Sequence, residues 1–190
     1  TIEIDNININ NYKKDDLRKN IGVVLQDTSL FSGTVYENIV YGDLSASKEK
    51  VIAAAIMANA YDFIMKLPHG MDSEVYEGGQ NFSQGERQLI SIARTILSDP
   101  DILILDEATS NVDTRTEFKI QESMKKLMSG RTSFVIAHRL QTIRTAHKII
   151  VIKDGELIES GTHQELLDHK GFYYDLYTTQ FKDLVNDLEG

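Results

Sequence analysis

Four short runs of consecutive apolar residues punctuate the chain: residues 21–25 (IGVVL), 102–105 (ILIL), 133–136 (SFVI) and 148–152 (KIIVI). Runs of this length without polar alternation predict strands covered on both faces. Between them, apolar residues recur at helical spacing: Val51, Ile52, Ala55 and Ile56; Leu89, Ile90, Ala93, Ile96 and Leu97; Ile120, Met124, Leu127 and Met128. These stripes predict helices with one buried face, and strands alternating with helices predict a parallel α/β sheet. Residues 34 to 98 hold several helical signals and no buried-strand signal, which predicts an all-helical lobe. Asp154-Gly155, between KIIVIK and ELIES, reads as a hairpin turn. Thr1 to Asp5 alternate apolar and polar like a strand and lack the charged-then-apolar order of a signal peptide, so the chain is expected to begin inside structure.

Composition narrows this picture. The 190 residues are 41% hydrophobic, enough for one sizeable core. Only Pro68 and Pro100 interrupt as prolines and no Gly/Ser-rich linker or repeat occurs, so subdomains of one unit are expected. A net charge of -9 and a pI near 5.0 disfavour a nucleic-acid binder, which must neutralise phosphates with Lys and Arg. The absence of cysteine removes disulfides, thiol catalysis and thiolate metal sites, and fits a reducing compartment. No apolar run approaches the ~20 residues of a spanning helix, so direct membrane insertion by this chain is not expected.

Two segments carry chemistry. Ile102-Leu103-Ile104-Leu105-Asp106-Glu107 places adjacent carboxylates at the carboxyl end of a buried strand, where ligands sit in open α/β sheets. In phosphoryl transfer one acid holds Mg²⁺ and another orients water, roles that suit Asp106 and Glu107; two solvated acids before a turn would read the same. Asn81-Phe82-Ser83-Gln84-Gly85-Glu86-Arg87-Gln88 puts Ser and Gly where an amphipathic helix begins. Such a start can bind phosphate through its N–H groups, and Ser83 with Glu86 three residues later also matches a capping box.

Taken together these segments resemble the ABC ATPase family, whose LSGGQ signature is followed by a helix and then by the Walker B strand. Phe82-Ser83-Gln84-Gly85-Glu86 stands at the signature position, Gln26 at the Q-loop, Asp106 and Glu107 at Walker B, Ser110-Asn111-Val112-Asp113 at the D-loop and His138 at the H-loop. Five motifs in the family's order cover most of the chain. The resemblance implies that Glu107, His138 and Gln26 are catalytic and that Asp106 and Gln26 hold Mg²⁺. It further implies that Ser83, Gln84, Gly85, Glu86 and Asp113 face ATP held by a second ABC ATPase domain, in a homo- or heterodimer.

Gln84 stands where the family usually has glycine and Glu86 where it usually has glutamine, while Glu107 is of the hydrolytically competent type. No G-x-x-x-x-G-K-[ST] occurs: Gly78-Gly79 is followed by Gln80-Asn81. The fold class expected is therefore α/β, a P-loop NTPase-like parallel core with an α-helical subdomain, lacking the N-terminal strands and the Walker A helix. Its parts are expected at 1–33, a core remnant ending in the Q-loop; 34–98, the helical subdomain with the signature; and 99–190, the core with Walker B, D-loop and H-loop.

From Gln26 to Ser83 is 83 − 26 = 57 positions, room for a compact lobe and not for the long coiled coil of chromosome-organising relatives. Leu30-Phe31-Ser32-Gly33-Thr34-Val35-Tyr36-Glu37-Asn38-Ile39 resembles the exporter version of the segment after the Q-loop. Glu74-Val75-Tyr76-Glu77-Gly78-Gly79 resembles the exporter X-loop, with Tyr76 for a usual glycine. This implies an ATP hydrolase on the cytoplasmic face of the cell membrane, with Glu77 and Phe31 facing a transmembrane domain. Two other expectations stand beside it: a module that caps ATP on an intact partner domain, and a chain with bare core surfaces where the missing elements would pack.

Overall fold

The computed structural model describes residues 1–25, 28–106, 112–137 and 140–186, with side chains placed outside 140–141 and 180–186. They form two compact units, Thr1–Ile136 and Ala137–Gly190.

The first unit opens with a hairpin, β1 (Glu3–Ile4) paired antiparallel with β2 (Ile7–Asn8). Asp5 (φ 50°) and Asn6 (φ 62°) make its turn, small polar residues that tolerate the left-handed region. A short helix, α1 (Lys14–Lys19), then leads into β3 (Ile21–Val24). The lobe comprises β4 (Gly33–Thr34), α2 (Val35–Val40), α3 (Lys48–Met57), α4 (Tyr61–Ile64), β5 (Glu74–Val75) and α5 (Gln84–Ser98). It is helical except for one antiparallel ladder two residues long, Gly33 on Val75 and Thr34 on Glu74, too short to leave a periodic signal. Thr34 caps α2 in a full capping box with Glu37. Leu30, Val35, Ile39, Val51, Ile64, Leu89, Ile90 and Ile92 make the dry centre, each at most 2% exposed; full burial of such side chains stabilises by about 1.5–3 kcal/mol apiece.

After α5 come β6 (Ile102–Asp106), α6 (Thr114–Met128) and β7 (Thr132–Ile136). Strands β3, β6 and β7 form the expected parallel sheet, in that order. Val24, Leu103 and Leu105 are wholly buried, and Gly22 lies so close to α5 that a Cβ would stand 2.9 Å from Thr95 Cγ2. The opposite face corrects the expectation of burial on both sides: Val23 is 46% exposed, Ile104 39%, Phe134 58% and Ile136 57%. Helices cover one face among the described residues, so alternate positions of each apolar run stay bare.

The second unit contains α7 (Leu140–Thr145), β8 (Ile149–Lys153), β9 (Glu156–Gly161), α8 (His163–His169) and α9 (Phe172–Asn186). The run 148–152 was expected as another covered strand of the parallel sheet. Instead, among the described residues, β8 pairs antiparallel with β9 alone, and Ile150 (48%) and Ile152 (67%) are exposed. The hairpin turn is where it was expected, with Asp154 at φ 52° and Gly155 at φ 83°, both positive as a type I′ turn requires. An apolar run does not encode strand direction; here the short turn does. Val151, Leu166 and Tyr173 form a small separate core.

Candidate functional site

The start of α5 is a closed clasp. Ser83, in extended conformation (φ -62°, ψ 160°), accepts the Glu86 N–H on its hydroxyl at 3.3 Å. Glu86 Oε2 in turn accepts the Ser83 N–H and the Ser83 Oγ–H, each at 2.9 Å. This is the capping box read from the sequence, and a cap of this kind contributes ~1 kcal/mol to its helix. Buried Phe82 anchors the entry, and Arg87 Nη1 donates to its carbonyl at 2.7 Å. Helix geometry leaves the Gln84 and Gly85 N–H groups without an i−4 carbonyl, at the positive end of the dipole. Ser83 is exposed, Gln84 and Glu86 half-buried and Gly85 buried.

Gly85 is buried because α6 comes up against it: a Cβ there would lie 2.4 Å from Thr116 Cγ2 and 3.0 Å from Val112 Cγ1. Asp113 caps α6, its Oδ1 accepting the Thr116 N–H at 3.0 Å. That backbone hydrogen bond from Thr116 holds the Asp113 carboxyl below the usual carboxylate range. The starts of α5 and α6, carrying the expected signature and the end of the expected D-loop, therefore adjoin.

The carboxyl ends of the three parallel strands also adjoin. Val24 pairs with Leu105 and Asp106 with Ile136. In sequence Gln26 follows Val24 by two residues, Glu107 follows Asp106 directly and His138 follows Ile136 by two. Gln26, Glu107, Ser110, Asn111 and His138 themselves lie outside the described residues. Asp106 is half-buried at its strand end, and a carboxylate there suits Mg²⁺, which takes hard oxygen donors and retains several waters.

Glu77 is exposed and opens a 3-10 turn, Glu77–Gly79. Gly79 rests on Leu30 and Arg87, with φ 74°, so the expected X-loop touches both the signature helix and the residue preceding Phe31. Phe31 is 43% exposed and tilts against Tyr41 at 4.7 Å, with the Arg94 guanidinium 4.4 Å above its ring. Arg94 went unnoticed in the sequence, being one cation in a helical stripe. An open groove of about 1060 Å³ passes Tyr41, Leu44, Lys50, Met57 and Arg94. Among the described residues no helix is long and apolar enough to cross a membrane.

The family model described as ABC transporter matches residues 1–110. The ABC transporter ATP-binding protein YfiC of Bacillus subtilis is 56% identical over 95% of this chain, which spans 30% of that protein. An ATP-dependent lipid A-core flippase of Syntrophus aciditrophicus is 50% identical over 96% of the chain and 30% of its own length. Among solved structures, a bacterial Atm1-family ABC exporter with ATP bound superposes with a TM-score of 0.85 at 44% identity, over 94% of this chain and 31% of its own. The chain thus spans about three tenths of the length of these relatives, and the α/β core with its helical subdomain is shared with that exporter.

Proposed function

The chain belongs to the ABC transporter family, and from that premise we propose that it is part of the nucleotide-binding domain of an exporter, coupling ATP binding and hydrolysis to transport across a membrane. The observation that carries the reading is the convergence of Val24, Asp106 and Ile136, the last residues of three adjacent parallel strands, since ligands of open α/β sheets bind outside such carboxyl ends. The relatives described as a lipid A-core flippase and as putative multidrug export proteins support the direction of transport.

In this reading Asp106 and Gln26 would hold Mg²⁺, Gln26 and Glu107 would act on the attacking water, Glu107 orienting or deprotonating it, and His138 would contact the terminal phosphate. Bound Mg²⁺ supplies charge neutralisation at the phosphates. Ser83, Gln84, Gly85, Glu86 and Asp113 face nucleotide held by a second ATPase domain, where the free N–H groups at the start of α5 meet phosphate oxygens. Phe31 and Glu77 meet the transmembrane domain, with the domain on the cytoplasmic side of the membrane. The divisions 1–33, 34–98 and 99–190 are its core, helical and core segments.

The 190 residues contain no G-x-x-x-x-G-K-[ST], the loop whose N–H groups and lysine supply most phosphate contacts, so alone they have negligible ATP affinity. The Gln84 and Gly85 N–H groups left without a helical partner at the start of α5 favour a second role for the isolated chain, capping ATP on a partner that holds it. Calorimetry with Mg-ATP, on this chain and on the chain extended upstream through a Walker A segment, tests the reading. Binding by the extended chain alone is expected; equal binding by both overturns it.

A further inference from the structure

We infer that Thr116 and Val112 are positioning residues for the signature: their methyl groups set where the start of α5 lies relative to the start of α6. The inference rests on the reading of Ser83 and Gly85 as the phosphate-facing pair.

Gly85 sits inside the first turn of α5, at a φ that needs no glycine, since it is absent from the positive-φ glycines. Backbone freedom therefore does not explain it, and close approach does. A Cβ at this site would meet Thr116 Cγ2 at 2.4 Å, Val112 Cγ1 at 3.0 Å and Thr116 Cβ at 3.4 Å. All of these atoms belong to the chain itself, so the space beside the glycine is filled from within. Thr116 is in turn fixed by the Asp113 carboxylate on its N–H at 3.0 Å, and Ser83 is fixed by Glu86 at 2.9 Å. The contact at Gly85 joins these two capped helix starts, so the signature and the Asp113 cap are held together.

A different account of the glycine is that it leaves room for the phosphate. The two accounts separate by substitution at position 116. Thr116→Ser removes only the methyl group at 2.4 Å and keeps the hydroxyl, leaving Val112 Cγ1 at 3.0 Å as the nearest atom.

The experiment is steady-state ATPase kinetics of the complete exporter carrying this segment, with KM and kcat separated. Gly85→Ala is expected to raise KM for ATP about tenfold, the scale of a displacement below 1 Å, and Gly85→Ala with Thr116→Ser to return it to within about threefold of native. A double variant that keeps the raised KM of Gly85→Ala overturns the inference. Should Gly85→Ala fail to fold, Thr116→Ser alone, which keeps the hydroxyl that bonds Asp113, is expected to raise KM about threefold with kcat unchanged. An unchanged KM in Thr116→Ser overturns the inference equally. Ser83→Ala is the independent control: an unchanged KM there removes the signature reading itself.

Discussion

Arg94 on α5 and Asn38 on α2 are joined by two hydrogen bonds, Nε to the Asn38 carbonyl at 2.7 Å and Nη2 to its Oδ1 at 2.9 Å. Asn38 is fully buried and also donates its side-chain amide to the Phe31 and Thr34 carbonyls. One amide thus fixes the loop at Phe31, the cap of α2 and the arginine beneath the Phe31–Tyr41 pair. Burial draws the Arg94 guanidinium below its usual range, the direction expected where desolvation opposes the charge.

Removing either partner strands buried polar groups. Asn38→Ala is expected to destabilise the protein by about 2–3 kcal/mol, and Arg94→Lys, which cannot reproduce the fork, by at least about 1 kcal/mol. Denaturant unfolding of each variant, with a double-mutant cycle, checks this; additive losses would refute a shared network.

At the α5 clasp, Ser83→Ala is expected to cost about 1 kcal/mol through loss of the cap. Glu86→Gln keeps an acceptor for the Ser83 N–H while removing the charge, and is expected to cost under about 1 kcal/mol. In an assembly that binds ATP, the same Glu86→Gln removes a carboxylate that engages the Ser83 hydroxyl and repels phosphate, so KM for ATP is expected to fall. A rise in KM would show that the carboxylate aids binding.

The bare sheet face gives a contrast between neighbours. Phe134→Ser, at a site 58% exposed, is expected to change stability by less than about 1 kcal/mol. Leu105→Ala, at a site with no exposure, is expected to cost about 2–5 kcal/mol. Binding of a hydrophobic dye is expected to drop in Phe134→Ser; undiminished binding would place the sticky surface elsewhere.

In the second unit, His163 Nδ1 lies 2.7 Å from the Tyr173 hydroxyl, and its ring is 5.0 Å from that of Tyr177. Burial, with a smaller repulsion from Arg144, lowers the His163 pKa, and burial with Tyr177 raises Tyr173 to about 12. A base with a depressed folded pKa binds fewer protons when folded. Its contribution is therefore full above the ordinary histidine value near 6.5 and is lost as pH falls through the lower folded value. Amide protection in α8 and α9, taken relative to the intrinsic exchange rate at each pH, is expected to fall on acidification below about pH 6.5, and His163→Gln to flatten that dependence.

The sequence made the repeating features legible. The stripe from Leu89 to Leu97 is α5, Ser83 and Glu86 form their box, and Asp154-Gly155 turns its hairpin. What escaped were non-periodic features: the ladder at Gly33 and Glu74, only two residues long, and the Asp5-Asn6 turn. Run length also misled, since IGVVL and SFVI promised two covered faces and received one, and KIIVI pairs, among the described residues, with its own hairpin partner alone. At the site, residue type and order nominated Ser83, Gly85, Asp106 and Asp113. Thr116 was invisible, because a threonine in the first turn of a helix announces no contact until the facing glycine is seen in space.

The pairing of Ile21 with Ile102 joins positions 102 − 21 = 81 apart, and nearly all of that intervening chain is the helical lobe. Closing so long a loop from an open coil is slow, and non-local parallel pairing is the slowest kind. The lobe's main helix packing runs from α5 back to α3 and α2, with the bonds between Asn38 and Arg94 among the ties of α2 to α5. A lobe that condenses first brings the ends of β3 and β6 together before either has a partner. The rate at which the sheet forms is then governed by the stability of the insertion between its strands.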